Sequence, residues 1–215
     1  MKHKQITIAQ ALEKIQSGMT LMVGGFLANG SALTLLNALA ESDKKDFTVI
    51  CNDTAFADKG VGRLFAEGKV KKVITSYLGT NKPSQDQMHA GTLTVEFVPQ
   101  GTLAERIRCG GCGLGGVLTP TGTGTLVAEG KQTIHVDGRD YLLEKPLRAD
   151  IALIGAGKGD ATGNLVYLGT AQNFNPLMAM AADLVIAEID ELLPVGAIAP
   201  EQVHTPAILV DFIAE

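Results

Sequence analysis

Four short strings in this sequence hold groups able to do chemistry. "GGFLANG" (Gly24 to Gly30) ends an apolar run, and its glycines let backbone N–H groups come close to a reacting atom. "CND" (Cys51 to Asp53) and "PQG" (Pro99 to Gly101) end two further apolar runs. The Gln100 amide can turn its NH₂ toward an oxygen that gains negative charge, as can glycine-flanked N–H groups; a helix cap at the strand end is the alternative. Asn52 is also a common turn former. The fourth string is Cys109-x-x-Cys112, a spacing that can bind metal or act in thiol redox chemistry. With no second pair and no histidine at ligand spacing, two small residues filling a glycine-rich bend is the favoured reading.

Glycine-rich turns first suggest a nucleotide site, and the spacing argues against it. Gly24, Gly25 and Gly30 do not make GxGxxG, because Leu27 stands where the second glycine belongs. Gly111, Gly113 and Gly116 do fit, but they follow a helical pattern where the fingerprint needs a strand. No GKS or GKT occurs, so there is no P-loop. His3, His89, His135 and His204 show no ligand spacing, and no metal site is expected.

These strings must be placed by regular elements. "TIAQALEKIQ" reads as an amphipathic helix capped by Thr7, and "TLMVGG" as a buried strand. Ser31 is expected to cap the next helix, "ALTLLNALAES", before a strand over residues 46–51. "VGRLFAEG" into "KKVITS" and "PSQDQMHAG" into "LTVEFV" repeat the helix–strand alternation, and a helix runs from near Gln100 to near Cys109. Residues 109–125 are glycine- and threonine-rich and read as a structured loop. "QTIHVDGRDYLLE" is a hairpin about Asp137-Gly138. "ADIALIGAG" and "DLVIAEID" read as core strands around the helix "NFNPLMAMAA", and "TPAILVDFI" closes the sheet.

The expected fold is α/β: a mostly parallel sheet flanked by helices, with a β-hairpin insertion, in a single domain over residues 1–215. Ligands in such sheets bind beyond the carboxyl ends of the strands, so "GGFLANG", "CND" and "PQG" should face one cleft.

Composition narrows the function classes. Among 215 residues, 46% are hydrophobic and 19% charged, and the apolar runs fall well short of the roughly 18 residues that cross a bilayer. The opening "MKHKQIT" lacks the apolar core and cleavage site of a secretory signal, which points to the cytoplasm. A net charge of −5 with scattered basic residues argues against nucleic acid. Three cysteines, an odd number, suit a reducing compartment.

The first string and its surroundings resemble the opening signature of the family I coenzyme A transferases, in their α subunit. That pattern reads here as Ser17, Gly18, "MTLMV", Gly24-Gly25-Phe26, "LAN", Gly30, Ser31, Ala32. It departs where the family usually has Asp or Asn (Ser17) and proline (Ala32). "VPQGTLAERIRCGGCGLGG", "TPTGTGT" and "NFNPLMAMAAD" resemble later blocks of the same family, and the likeness runs from about Ile6 to Phe212.

The resemblance implies transfer of coenzyme A between a short-chain acyl-CoA (acetyl-, butyryl- or acetoacetyl-CoA) and a free carboxylic acid. A glutamate attacks the thioester, passing through an acyl anhydride and an enzyme thioester. It implies that Gln100 and Asn52 lie in the active site as oxyanion or thioester donors. It also implies that Gly24, Gly25, Phe26, Leu27, Ala28, Asn29 and Gly30 approach coenzyme A. No cofactor is expected to be bound permanently. The nucleophilic glutamate is expected on a β subunit, in an α₂β₂ assembly, because Glu96, Glu105 and Glu188 read as solvated or ion-paired groups. Arg106 and Arg108 could meet anionic coenzyme A or simply line a helix face.

Two other classes compete with this one. A non-catalytic ligand-sensing α/β module would be supported by a helix-turn-helix, and none is found. A nucleotide-dependent oxidoreductase is disfavoured by the failed glycine spacing. The acyl partner stays open among acetate, butyrate, acetoacetate and succinate, since one methylene in a pocket is worth only ~1–3 kcal/mol.

Overall fold

The computed structural model describes residues 4–215. Its first half alternates strand and helix: β1 (Gln5–Ile6), α1 (Ile8–Glu13), β2 (Thr20–Val23), α2 (Leu33–Glu41), β3 (Phe47–Asp53) and α3 (Gly62–Ala66). β4 (Val70–Tyr77), α4 (Lys82–His89), β5 (Thr94–Phe97) and α5 (Gln100–Gly111) follow. Then come β6 (Val117–Thr119), β7 (Thr133–Val136), β8 (Arg139–Glu144), β9 (Ala149–Asp160), β10 (Leu165–Val166), α6 (Asn175–Ala181), β11 (Ala182–Leu193) and β12 (Phe212–Ala214).

Local chemistry accounts for several of these boundaries. Thr7 and Gln10 form a reciprocal capping box at α1, with Gln10 N donating to Thr7 Oγ1 at 3.2 Å and Thr7 N to Gln10 Oε1 at 3.0 Å. Asn81 Oδ1 accepts from Ser84 N at 3.1 Å to start α4.

The main sheet runs β1-β12-β11-β9-β2-β3-β4-β5 and is parallel along this path, with the short β10 antiparallel against β9. Because side chains alternate along a strand, each core strand feeds two cores. Leu21, Val23, Val49, Cys51, Ile151 and Leu153 join the core under α1 to α4. Met22, Ile50, Ala152 and Ile154 join the core under α5 and α6. Burial on both faces explains why these strands read as unbroken apolar runs.

Strand order reverses beside β2, whose neighbours are β3 and the much later β9. A crevice opens at such a switch point, and "GGFLANG" leaves β2 there.

Four expectations need correction. Ser31 does not cap α2: its hydroxyl donates to Gly24 O at 2.8 Å, and the cap residue Ala32 makes no side-chain bond. The hairpin is the larger part of a three-stranded antiparallel sheet, β6-β8-β7, because part of the 109–125 stretch pairs with β8. "TPAILVDFI" supplies only β12, inserted between β1 and β11, with residues 207–209 in a 3₁₀ turn. Cys109 does not fill a glycine-rich bend: the helix begun at Gln100 runs to Gly111, and Cys109 is buried inside it while Cys112 is exposed at its end.

Candidate active site

Above the carboxyl ends of β2, β3 and β4, and beside the first turn of α5, lies a cleft of about 390 Å³. Phe26, Leu27, Asn52, Asp53, Ser76, Tyr77, Thr80 and Gln100 line it. The tips of "GGFLANG", "CND" and "PQG" are thus brought together.

The wall is an unusual turn. Phe26 N donates to Asn29 O at 3.1 Å and Asn29 N to Phe26 O at 2.9 Å, closing a two-residue hairpin over Leu27-Ala28. Both central residues have positive φ, +48° and +68°. Such a turn usually takes Asn-Gly, since a left-handed conformation costs a side-chain-bearing residue ~1–2 kcal/mol. Neighbours hold it in place. The Asp53 carboxylate accepts from Leu27 N at 3.1 Å. Asn173 Oδ1 accepts from Gly25 N at 3.1 Å while its Nδ2 donates to Asn29 O at 3.0 Å, so one amide clamps both arms. Asn175 Nδ2 donates to Gly30 O at 2.9 Å.

The glycines serve this packing. A Cβ on Gly24 would overlap Asn175 Oδ1, and one on Gly30 would lie 2.5 Å from Ala171 O. The space beside Gly24 and Gly30 is therefore filled by the protein's own atoms. Of this loop, Phe26, 45% exposed, and Leu27 line the cleft; Ala28 is buried and Asn29 donates to Thr170 Oγ1, and residues 27–30 also line a second cavity of about 400 Å³ on the other side of the turn.

The floor is a row of polar side chains. Gln100 opens α5 and is exposed to the cleft, and its Nε2 donates to Asn52 Oδ1 at 2.6 Å. Asn52 is only 2% exposed and donates through Nδ2 to Asp53 Oδ2 at 2.6 Å. Ser76 Oγ donates to Asn52 O at 2.7 Å. Asn52 therefore stands behind Gln100, with one N–H left uncommitted. Behind this row, burial pushes the Cys51 thiol far up, with the Asp53 charge adding to the effect, so Cys51 is an inert core residue.

The other candidates lie elsewhere. Glu96 pairs with Arg106 at 2.9 Å and Lys72 at 3.0 Å. Burial opposes ionisation of Glu96, yet its bonds to Arg106 and Lys72 win and hold its carboxyl below the ordinary value. Arg106 is occupied there, with Nε on Lys145 O at 2.9 Å, and Arg108 pairs with Glu105 at 2.8 Å on the surface. Among the described residues Glu188 has no ion-pair partner; its two oxygens accept from Thr34 N and Leu35 N at 3.0 and 2.9 Å and cap α2. Cys109 is buried in α5, its thiol pushed up by burial, and Cys112 is exposed at the helix end. Among the described residues no group of three His, Cys, Asp or Glu could hold a metal ion, and no helix is long and apolar enough to cross a membrane.

Sequence reasoning gave no role to Asp53, Ser76, Tyr77, Asn173 or Asn175. "CND" and "NFN" were visible as strings, but only tertiary pairing shows what their side chains hold.

A doubly covered parallel sheet with an amide-floored cleft over its strand ends defines an α/β protein of ligand-binding type. The chain belongs to the coenzyme A transferase family, whose profile matches residues 5–215. It is 52% identical to the acetate CoA-transferase subunit alpha of Escherichia coli (strain K12), over 99% of this chain and 97% of that one. It is 45% identical to the acetoacetyl-CoA:acetate/butyrate CoA transferase alpha subunit of Clostridium acetobutylicum, over 100% and 99%. Among solved structures, an acyl-CoA transferase of Escherichia coli O157:H7 in a thioester complex with CoA superposes with a TM-score of 0.88 at 22% identity. That match covers 99% of this chain and 47% of the other, so this chain spans about half its length. The glutaconate coenzyme A-transferase of Acidaminococcus fermentans superposes with a TM-score of 0.85 at 20% identity, covering 98% and 75%. These likenesses show the same fold.

Proposed function

We propose that this chain is the α half of a CoA-transferase moving coenzyme A between a short-chain acyl-CoA and a free carboxylate, with the nucleophilic glutamate supplied by a β subunit. Coenzyme A and its esters are substrates in this reading, with no resident cofactor. One observation carries it: the cleft offers amide donors but no free carboxylate. Asp53, the cleft's acid, is 4% exposed and has both oxygens occupied by hydrogen bonds. This supports a reading in which the attacking carboxylate is supplied by another chain.

The partner glutamate adds to the thioester carbonyl, and the coenzyme A thiolate leaves, giving an acyl–glutamyl anhydride. That thiolate attacks the glutamyl carbonyl, releases the acid and forms the enzyme thioester; an incoming carboxylate reverses both steps. Each addition places negative charge on a carbonyl oxygen, and the uncommitted Gln100 N–H supplies a donor, while the Phe26 and Leu27 N–H groups are spent on Asn29 O and the Asp53 carboxylate. A β-chain partner, here in an α₂β₂ assembly, is supported by relatives that are named as alpha subunits, and a cytoplasmic setting by three free cysteines.

Acyl transfer from acetyl-CoA to butyrate, assayed on this chain, on its complex with the β chain and on a Gln100→Ala complex, tests the reading. The chain alone should be inactive and the complex active, and Gln100→Ala should lose roughly 10²-fold in rate. Transfer by the isolated chain, or a near-normal Gln100→Ala rate, removes the assignment.

A further inference from the structure

Asp53 is buried one residue beyond Asn52, and its carboxylate receives only donors: Ala55 N at 2.8 Å, Leu27 N at 3.1 and 3.3 Å, and Asn52 Nδ2 at 2.6 Å. A carboxylate has no proton to give, so Asn52 must meet it with its NH₂ end. Asn52 Oδ1 is then turned away, where it accepts from Gln100 Nε2 at 2.6 Å; Ser76 Oγ lies 3.3 Å from it but gives its one proton to Asn52 O at 2.7 Å. Gln100 in turn commits one N–H to Asn52, leaving its second N–H and its Oε1 for the cleft.

The two ends of a side-chain amide have opposite polarity and nearly the same shape, so neighbours decide which way it faces. Asn52 and Gln100 would pair equally well with the row reversed, and the Ser76 hydroxyl can donate or accept. Asp53 alone breaks the tie. We propose that Asp53 is a positioning residue that sets the direction of the Gln100–Asn52 hydrogen-bond row and thereby which end of the Gln100 amide the cleft offers. The same carboxylate holds the Leu27 amide, so the wall and the floor of the cleft are fixed by one group. The catalytic consequence rests on the proposed function; the direction of the row does not.

Asp53→Asn separates shape from polarity. Ala55 N, 2.8 Å from Oδ1, keeps an oxygen on its side and Leu27 N falls back on its 3.3 Å contact to that same atom, so the new NH₂ takes the Oδ2 place and confronts Asn52, and Asn52 and then Gln100 must turn over. In the complex with the β chain, kcat should fall about tenfold to a hundredfold through the displaced donor, with KM for acyl-CoA within about twofold.

Thermal unfolding of the full chain tests the direction without any assay. Gln100→Glu sets an acceptor against Asn52 Oδ1 and should lower Tm by about 2–6 °C. In the Asp53→Asn background the reversed Asn52 offers NH₂ to that carboxylate, and the loss should shrink by at least half. Repulsion between two carboxylates would give the same sign, so the cycle is repeated with Asn52→Ala, where a relayed coupling must vanish. Additive losses, or a coupling that survives Asn52→Ala, overturn the proposal. If Asp53→Asn does not fold, Gln100→Met decides: it offers neither donor nor acceptor, so a loss as large as that of Gln100→Glu overturns it. A wild-type complex without CoA transfer would sink the proposed function, while the unfolding cycle would still decide the direction of the row.

Discussion

Gly24 shows how a single missing side chain ties two distant strings together. It has no positive φ, so glycine is required there by space alone: Asn175 Oδ1 occupies the position a Cβ would take. Asn175 is fully buried, and its Nδ2 is already committed to Gly30 O and Ala171 O, so it cannot simply swing away. Gly24→Ala should therefore destabilise the chain by about 1–3 kcal/mol in urea unfolding. Asn175→Ala should be costly by itself yet less than additive with Gly24→Ala, because the clash and its partner disappear together. The glycines of "GGFLANG" were legible as a loop that needs bare backbone. That the bareness admits Asn175 and Ala171 was not, because those residues lie far away in sequence.

At the scale of elements, ends and junctions matter most. The α2 N-terminus takes its cap from Glu188 on β11, whose two oxygens satisfy the exposed N–H groups and face the positive end of the helix. Ser31 was a reasonable local expectation that lost to a distant carboxylate. A second junction joins β4, β5, α5 and β8 through Lys72, Glu96, Arg106 and Glu144. Because Glu96 has a folded pKa below its ordinary value of 4.5, its contribution to stability is present above that value. It is lost as pH falls through the lowered folded value. Glu96→Gln should thus lower the midpoint of urea unfolding near neutral pH, and the gap from the parent should close as the solution is acidified below pH 4.5. A gap independent of pH would mean that the carboxylate's charge contributes nothing.

Across the whole molecule, the two sheets should differ in stability. β9 and β11 are each twelve residues long, paired in parallel, and at the centre of the doubly covered sheet. The three-stranded sheet exposes Leu118 and Val136, and the turn between β6 and β7 exposes Leu126. Hydrogen exchange should therefore be slowest in β9, β2 and β3 and fast by comparison in β7, opening the small sheet at a free energy well below that of global unfolding. Equal protection in both sheets would show that they unfold as one unit.

The sequence alone determined the alternation of helix and strand, the doubly buried parallel sheet, the Asp137-Gly138 turn and the three strand tips that gather at one cleft. Each of these follows from periodicity or turn chemistry acting over a few neighbouring residues. Only the tertiary structure decided what fills the space beside Gly24, what caps α2, where β6 pairs and which way the amide row runs. Those outcomes depend on groups brought together from far apart in the chain, and a hydrogen bond's direction is set by the last acceptor in the row, here Asp53, rather than by the residues that display it.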